Sequence, residues 1–243
     1  QAKCFPSKRA LIFVVGTGSL IIMYLDKGHL QFSETIPLGS MRLGDEYGSL
    51  AFEEDKITSL LENFCMEQRM SESTNFDPKE PMSVIGIGAG VRALIGIKFP
   101  EGVEKEMVLR TGKEELAELI KKALRMPAET LVKEHHIGYA VASYVAPTAG
   151  ILAYFLHEVN CREAIFPAVT TRSALIAELI RNGRSEHDPF RADLLTAAEN
   201  IGRKYSLDTA HAAGVADMAL RIFDKLKRRY GLTARHRLDL EVA

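Results

Sequence analysis

The sequence lacks most of the features that mark a special class of protein. Its 243 residues include no tryptophan and only three cysteines, and the formal net charge is -1. Near-neutral charge gives no electrostatic reason to expect a nucleic-acid partner. Cys4, Cys65 and Cys161 lie too far apart for metal-ligand or redox spacing, and such a scattered, odd count predicts a reducing, cytoplasmic location. A hydrophobic content of 47% excludes a disordered chain.

One segment, residues 137–156, carries no charged residue and is the nearest approach to a membrane span. Ser143, Pro147 and Gly150 interrupt it, whereas a span needs about 20 strongly apolar residues. The segment therefore predicts a buried helix of a soluble protein, kinked or begun at Pro147, and no membrane partner.

The order of apolar runs and turn residues predicts an α/β protein. Three runs, residues 10–15, 20–25 and 29–36, are joined by glycine-containing turns and predict an antiparallel three-stranded meander. Further strands are predicted at 82–87 and 164–169. Helices are predicted at 50–66, from about Val91, and at 114–124, 140–157 and 172–180.

The turn-rich stretch 182–189 predicts a domain boundary, because the chain is net acidic before residue 189 and net basic after it. Two helices are predicted beyond it, at about 190–205 and 209–230. Each carries an apolar stripe, and a two-helix unit can cover only part of its own apolar surface. We therefore expect the tail to self-associate, which makes a homodimer the expected state.

Two glycine-rich turns are the candidate functional site. The first joins two predicted strands and contains Gly16, Thr17, Gly18 and Ser19; the second, with Gly88 and Gly90, joins a strand to a helix. Backbone N–H groups in such turns can converge on an anion, and a helix N-terminus favours phosphate. A dinucleotide site is excluded because no acidic residue follows at the required distance and the strand follows a meander.

Together the two turns resemble the second domain of the actin-like ATPase superfold. Within it, ALIFVVGTGSLIIMYLDKGHLQFSETIPLGSMRL resembles the Ppx/GppA segment that runs strand, D-I-G-G-G-S-T-E, strand, D-x-G, strand and L-G-x-x-R-L. The family comprises exopolyphosphatases and guanosine pentaphosphate (pppGpp) phosphohydrolases. Similar segments follow in the family's order: VIGIGAGVRALIGI, ASYVAPTAGILAYFL, AIFPAVTTRSALIAEL and KYSLDTAHAAGVADMALRIFDKLKRRYGL.

The resemblance implies the architecture and the ligands. Residues 1–185 would form an actin-like (ribonuclease-H-like) domain with a mixed sheet, and residues 186–243 the start of an all-helical, HD-like domain. A phosphate-rich small molecule or polyphosphate would bind the glycine turns, with Arg42 and Arg92 as further phosphate ligands. The family's cofactor would be Mg²⁺. Because the chain begins at Gln1, the family's first domain, which carries the catalytic glutamate, is expected to precede it.

The chain departs from the family where the chemistry is done. Val14 stands where the family has an aspartate and Ile21 where it has a glutamate, and neither offers the oxygen ligand that Mg²⁺ requires. Arg172 matches the arginine of the family's L-R-E-G, but Ser173 and Ala174 follow it. The sequence therefore assigns no catalytic residue and no metal ligand to this chain, and it argues against Mg²⁺ here.

Three functions are left open. The first is a fragment of a phosphatase whose parent protein hydrolyses terminal phosphoanhydrides of polyphosphate or pppGpp, with this chain inactive by itself. The second is a non-catalytic phosphate-binding or regulatory protein of the same descent, and the third is an actin-like sugar or acetate kinase fragment. Whether the chain is an enzyme is left open as well.

Histidines and the basic run add no site. His135 and His136 are expected at a helix start, His187 in the linker and His211 at the family's first HD histidine, all without enough co-ligands for a metal. The basic run 225–229 is expected to be the solvated face of the last helix, since no aromatic residues are interleaved for single-stranded nucleic acid.

Overall fold

A computed structural model describes residues 9–47, 59, 76–104, 108–167, 169 and 191–243. Two predicted helices, at 50–66 (except Ser59) and 172–180, and the predicted boundary at 182–189 lie outside the described residues.

The described strands form one six-stranded mixed sheet in the order β3-β2-β1-β4-β6-β5. The first three strands are antiparallel neighbours, β4 is parallel to both β1 and β6, and β5 is antiparallel to β6. Their bounds are β1 Arg9–Val15, β2 Leu20–Asp26, β3 His29–Ile36, β4 Met82–Ile87, β5 Leu109–Thr111 and β6 Cys161–Phe166. The predicted meander is confirmed.

The predicted strand at 164–169 begins and ends three residues earlier, as β6 Cys161–Phe166. Pro167 follows it directly, and proline has no N–H to donate to a ladder. The ladder with β4 instead starts where Cys161 pairs with Met82, so the polar residues 162 and 163 belong to the strand.

The described helices before residue 170 lie between and after these strands. Their bounds are α1 Ser40–Tyr47, α2 Ala89–Gly96, α3 Pro100–Glu104, α4 Lys113–Leu124, α5 Ala128–His135, α6 Tyr139–Ala142 and α7 Val145–Glu158. His135 is the last residue of α5 and His136 its left-handed cap, with φ 54°. The prediction that these histidines begin a helix is therefore wrong, because the chain turns at His136.

One face of the sheet and the helices α2, α4 and α7 share the main core. Alternation along β1 and β2 places Leu11, Phe13 and Ile22 on this face, where each is at most 1% exposed. Phe13 stacks on Phe155 of α7 with ring centroids 4.3 Å apart. Burial of large apolar side chains on both layers is what holds α7 on the sheet.

The uncharged segment is a core element of this fold. Tyr139–Glu158 has the length and hydropathy of a membrane span, yet 61% of its most apolar window is buried inside the protein. A turn at 143 and 144 divides it into α6 and α7, and Pro147 lies in the first turn of α7, where its missing N–H costs no helical hydrogen bond. A buried helix of a soluble fold is what the sequence predicted.

The tail contains three helices: α8 Arg191–Lys204, α9 Thr209–Tyr230 and α10 Ala234–Val242. The predicted bounds of α8 and α9 are confirmed to within about a residue. Asp208 caps α9 by accepting the N–H groups of Ala210 and His211, each at 3.0 Å. The third helix is an addition that the sequence did not predict; it packs against both α8 and α9.

Candidate functional site

The two predicted glycine turns meet at the carboxyl ends of β1 and β4. These strands are parallel, and Val14 lies opposite Ile87 in their register, so the turns that follow them share one edge of the sheet. Gly88 has φ 143°, and a Cβ there would lie 2.3 Å from the carbonyl oxygen of Val15. Only glycine allows this approach. The structure therefore brings the two turns together.

The first turn is held from behind by the start of α1. Within the turn, the Gly16 N–H donates to the Ser19 carbonyl at 2.9 Å. The carbonyls of Gly16 and Thr17 accept the N–H groups of Ser40 (2.9 Å) and Met41 (3.0 Å). A Cβ on Gly39 would lie 2.2 Å from the Thr17 carbonyl oxygen, so glycine is required there too. The carbonyls of the turn therefore accept hydrogen bonds from the start of α1.

This arrangement leaves some N–H groups of the turns without an acceptor among the described residues. Thr17 and Gly18 are exposed, and within the described part of the chain their amides donate to no protein acceptor. The first intrahelical bond of α2 runs from the Arg92 N–H to the Gly88 carbonyl at 2.9 Å, so the amides before Arg92 lack a helical acceptor. We call these two sets of amides, with the hydroxyls of Thr17 and Ser19, the glycine cradle. Its donors suit an anion.

A buried threonine supports the second turn. Thr148 of α7 is 0% exposed, and a Cβ on Gly90 would lie 2.3 Å from its Oγ1. This oxygen has no hydrogen-bond partner among the described residues. Gly90 therefore serves the close packing of α2 on α7. The sequence did not single out Thr148, because only the tertiary contact gives it this position.

The two predicted arginines are held by carbonyl groups outside the cradle. Arg42 donates from Nη1 to the Pro37 carbonyl at 2.8 Å, and Arg92 donates from Nη2 to the Val103 carbonyl at 2.9 Å. Neither hydrogen bond reaches a glycine turn. Their role as phosphate ligands stays a prediction, and it would require each guanidinium to reorient.

The two positions that depart from the family lie side by side. Val14 and Ile21 are direct partners in the β1–β2 ladder, and Ile87 is the partner of Val14 on the other side. All three side chains are half-buried. They form an apolar row on one sheet face immediately before the cradle. A magnesium ion needs oxygen ligands, which this row does not supply.

Other described groups offer no cluster of metal ligands, and the described cysteine is not a reactive thiolate. Among the described ranges no three His, Cys, Asp or Glu side chains lie close enough together to hold a metal ion. Burial raises the pKa of the Cys161 thiol to about 11, so it is protonated at neutral pH and inert as a nucleophile. The residues present therefore do not fit magnesium at the place where the family would hold it.

Comparisons with solved structures show proteins of similar fold. No family model matches the sequence, and no curated protein matches it. Among solved structures, an exopolyphosphatase from Cytophaga hutchinsonii matches 73% of this chain and 59% of its own length, at 12% identity and a TM-score of 0.60. The Ppx/GppA family member of Aquifex aeolicus matches 74% of this chain and 59% of its own, at 15% identity and a TM-score of 0.57. An exopolyphosphatase-like protein matches 75% of this chain and 62% of its own length, at 13% identity and a TM-score of 0.60.

These matches confirm the resemblance that the sequence predicted, in the fold that the chain shares with the Ppx/GppA structures. The predicted class, an actin-like α/β domain with a mixed sheet followed by a helical segment, is confirmed with it. The chain spans about three fifths of the length of these structures, 59–62%.

Proposed function

We propose that this chain is a Ppx/GppA-type domain that binds the terminal phosphates of a phosphate-rich ligand in the glycine cradle. The observation that carries the proposal is the junction of the two turns at one sheet edge, with the amides of Thr17 and Gly18 exposed and without protein acceptors among the described residues. Polyphosphate and pppGpp are the ligands that the family resemblance suggests.

The cradle binds through dipoles instead of fixed charge. Its donors are backbone N–H groups and two hydroxyls, while Arg42 and Arg92 are engaged with carbonyls. The start of α2 adds the positive end of a helix dipole, worth about 0.3–1 kcal/mol for an anion at an exposed site. Such a site favours a multiply charged ligand, because each added phosphate oxygen can accept another N–H.

The chain by itself is not expected to hydrolyse that ligand with magnesium. In-line attack by water needs a metal to neutralise the phosphate charge and a group to orient the water. Val14 and Ile21 supply neither. Hydrolysis of polyphosphate or pppGpp by a longer protein that contains this chain is a separate part of the proposal, as are the domain division at 185/186 and a cytoplasmic location.

A titration of ¹⁵N-labelled protein with triphosphate in EDTA tests where the anion binds. The amides of Thr17, Gly18 and residues 89–91 should shift first, since they are the open donors. Thr17→Glu should abolish these shifts by placing a like charge in the turn. Thr209→Glu, the same change at an exposed threonine in the tail, should leave them unaltered. Shifts confined to residues 225–229 would assign binding to the basic run and refute the cradle.

A further inference from the structure

Helix α9 exposes a continuous apolar stripe. Val215, Met218, Ile222, Leu226 and Tyr230 follow one another at spacings of three and four residues, so they share one face of the helix. They are 48%, 62%, 60%, 39% and 63% exposed, respectively. We call this set the tail stripe. Five large exposed side chains in a row form a larger continuous apolar patch than the single, scattered apolar residues that are normal on a monomer's surface.

The intramolecular contact of α9 uses a different side of the helix. Phe223 is its one buried residue among those described, and α9 packs against α10, which buries Leu238. Phe223 follows Ile222 by one residue and therefore points about 100° away from it and about 80° away from Val215 at the centre of the stripe. Tyr230 is at the edge of the stripe nearest Phe223. The tail stripe is thus additional to the packing of α10 and has no covering element in the described part of the chain.

The sizes of the side chains on this face vary along the helix. Its amino-terminal end is small, because Ala212 is exposed there. Its carboxyl-terminal end carries Leu226 and Tyr230. If two such helices run antiparallel, the large end of each lies against the small end of the other, which is how well-packed layers interdigitate.

The charges favour the same orientation. Lys225, Lys227, Arg228 and Arg229 cluster at the carboxyl-terminal end of α9, whereas Asp208 caps the opposite end. A parallel pair would bring two basic clusters together, and like charges in contact are unfavourable. An antiparallel pair with Ile222 beside Met218 places residue 227 of each helix opposite residue 213 of the other. The two basic clusters are then about 21 Å apart along the axis, and each lies within about two turns of an Asp208.

We propose that the tail stripe is the face through which two copies of this chain associate, with their α9 helices antiparallel. Ile222 then packs on Met218 of the second copy, Leu226 on Val215 and Tyr230 on Ala212. Ten large apolar side chains leave water, together with the flanking small residues, and form the apolar centre of the interface. The basic residues lie at its rim, where they remain solvated. The pairing does not depend on the glycine cradle.

Sedimentation velocity of the full chain over a micromolar concentration series tests the surface. The unmodified protein should be a dimer at tens of micromolar. Ile222→Lys should weaken the dimer by about 100-fold or more, because it buries an unpaired charge. Ile201→Lys is the matched control, since Ile201 of α8 is 59% exposed, against 60% for Ile222. It should leave the dimer intact. Circular dichroism should show that both variants retain the fold.

The orientation is tested by charge at Ala212. In the antiparallel pair Ala212 lies beside the basic end of the second copy, so Ala212→Glu should tighten the dimer and Ala212→Lys should loosen it, each several-fold. In a parallel pair both variants would place like charges together and neither would tighten it. A monomeric wild-type protein, a dimeric Ile222→Lys, an Ile201→Lys that dissociates equally, or a dimer that Ala212→Glu weakens would each overturn the proposal.

Discussion

The sheet region buries its apolar faces inside the protein, whereas the helical tail leaves the apolar stripe of α9 exposed. In residues 9–167 the apolar positions of strands and helices converge on one core, in which Phe13, Leu20, Ile22 and Val84 are each 0% exposed. In residues 191–243 only Phe223 and Leu238 are buried among the described side chains, at 8% and 5% exposed. The apolar residues of α9 have the three- and four-residue spacing of a core helix. The two regions therefore differ in whether another element packs on the apolar face.

The periodicity of a sequence therefore identifies an apolar face, but it does not identify the element that packs on that face. For the sheet region the cover is intramolecular, since α2, α4 and α7 lie on the sheet. For the tail, the stripe of α9 faces solvent and gives the proposed dimer its surface. Stability should therefore reside in the first region and association in the second.

Removal of one large side chain from each region should separate these roles most clearly. Phe13→Ala deletes a ring that is 0% exposed and stacked on Phe155, and it should destabilise the fold by about 3–5 kcal/mol. Ile222→Ala should change the stability of the monomer by less than about 0.5 kcal/mol. Urea unfolding followed by circular dichroism at low micromolar concentration gives both values. Equal losses would mean that α9 belongs to the core.

A smaller effect is expected at Gly39, which contacts the first turn, and at Gly18 within it. A Cβ on Gly39 would lie 2.2 Å from the Thr17 carbonyl oxygen, whereas one on Gly18 would meet nothing within 4 Å. Gly39→Ala should therefore cost about 1–3 kcal/mol by displacing backbone, and it should weaken triphosphate binding by moving the Thr17 amide. Gly18→Ala should be tolerated within about 0.5 kcal/mol. Thermal unfolding and the amide titration measure the two effects; a tolerated Gly39→Ala with full binding would show that α1 does not hold the turn.

Local sequence patterns were sufficient for elements that are stabilised locally. The meander follows from alternating strands and glycine turns, and α9 from its apolar spacing and its Asp208 cap. They were insufficient for α1, whose first amides find their acceptors in Gly16 and Thr17, far away in the sequence. The edge strand Leu109–Thr111 is three residues long and exists only through its pairing with β6, and α10 lacks an apolar stripe.

The candidate site divides in the same way. The glycines of both turns could be predicted, because turns and close approaches restrict the residue type. The holding contact of Gly39 and the packing of Thr148 on Gly90 could not, since they depend on which elements meet in space. The pairing of Val14 with Ile21 is known only from the register of β1 and β2 in the structure.

Isothermal titration calorimetry of the full chain with triphosphate, in EDTA and again in excess Mg²⁺, tests most directly whether the phosphate site works without a metal. We expect binding in EDTA, no tighter binding in Mg²⁺, and no phosphate release in either buffer. Binding that requires Mg²⁺, or phosphate release that EDTA abolishes, would contradict a metal-independent site and would mean that groups other than Val14 and Ile21 hold the ion.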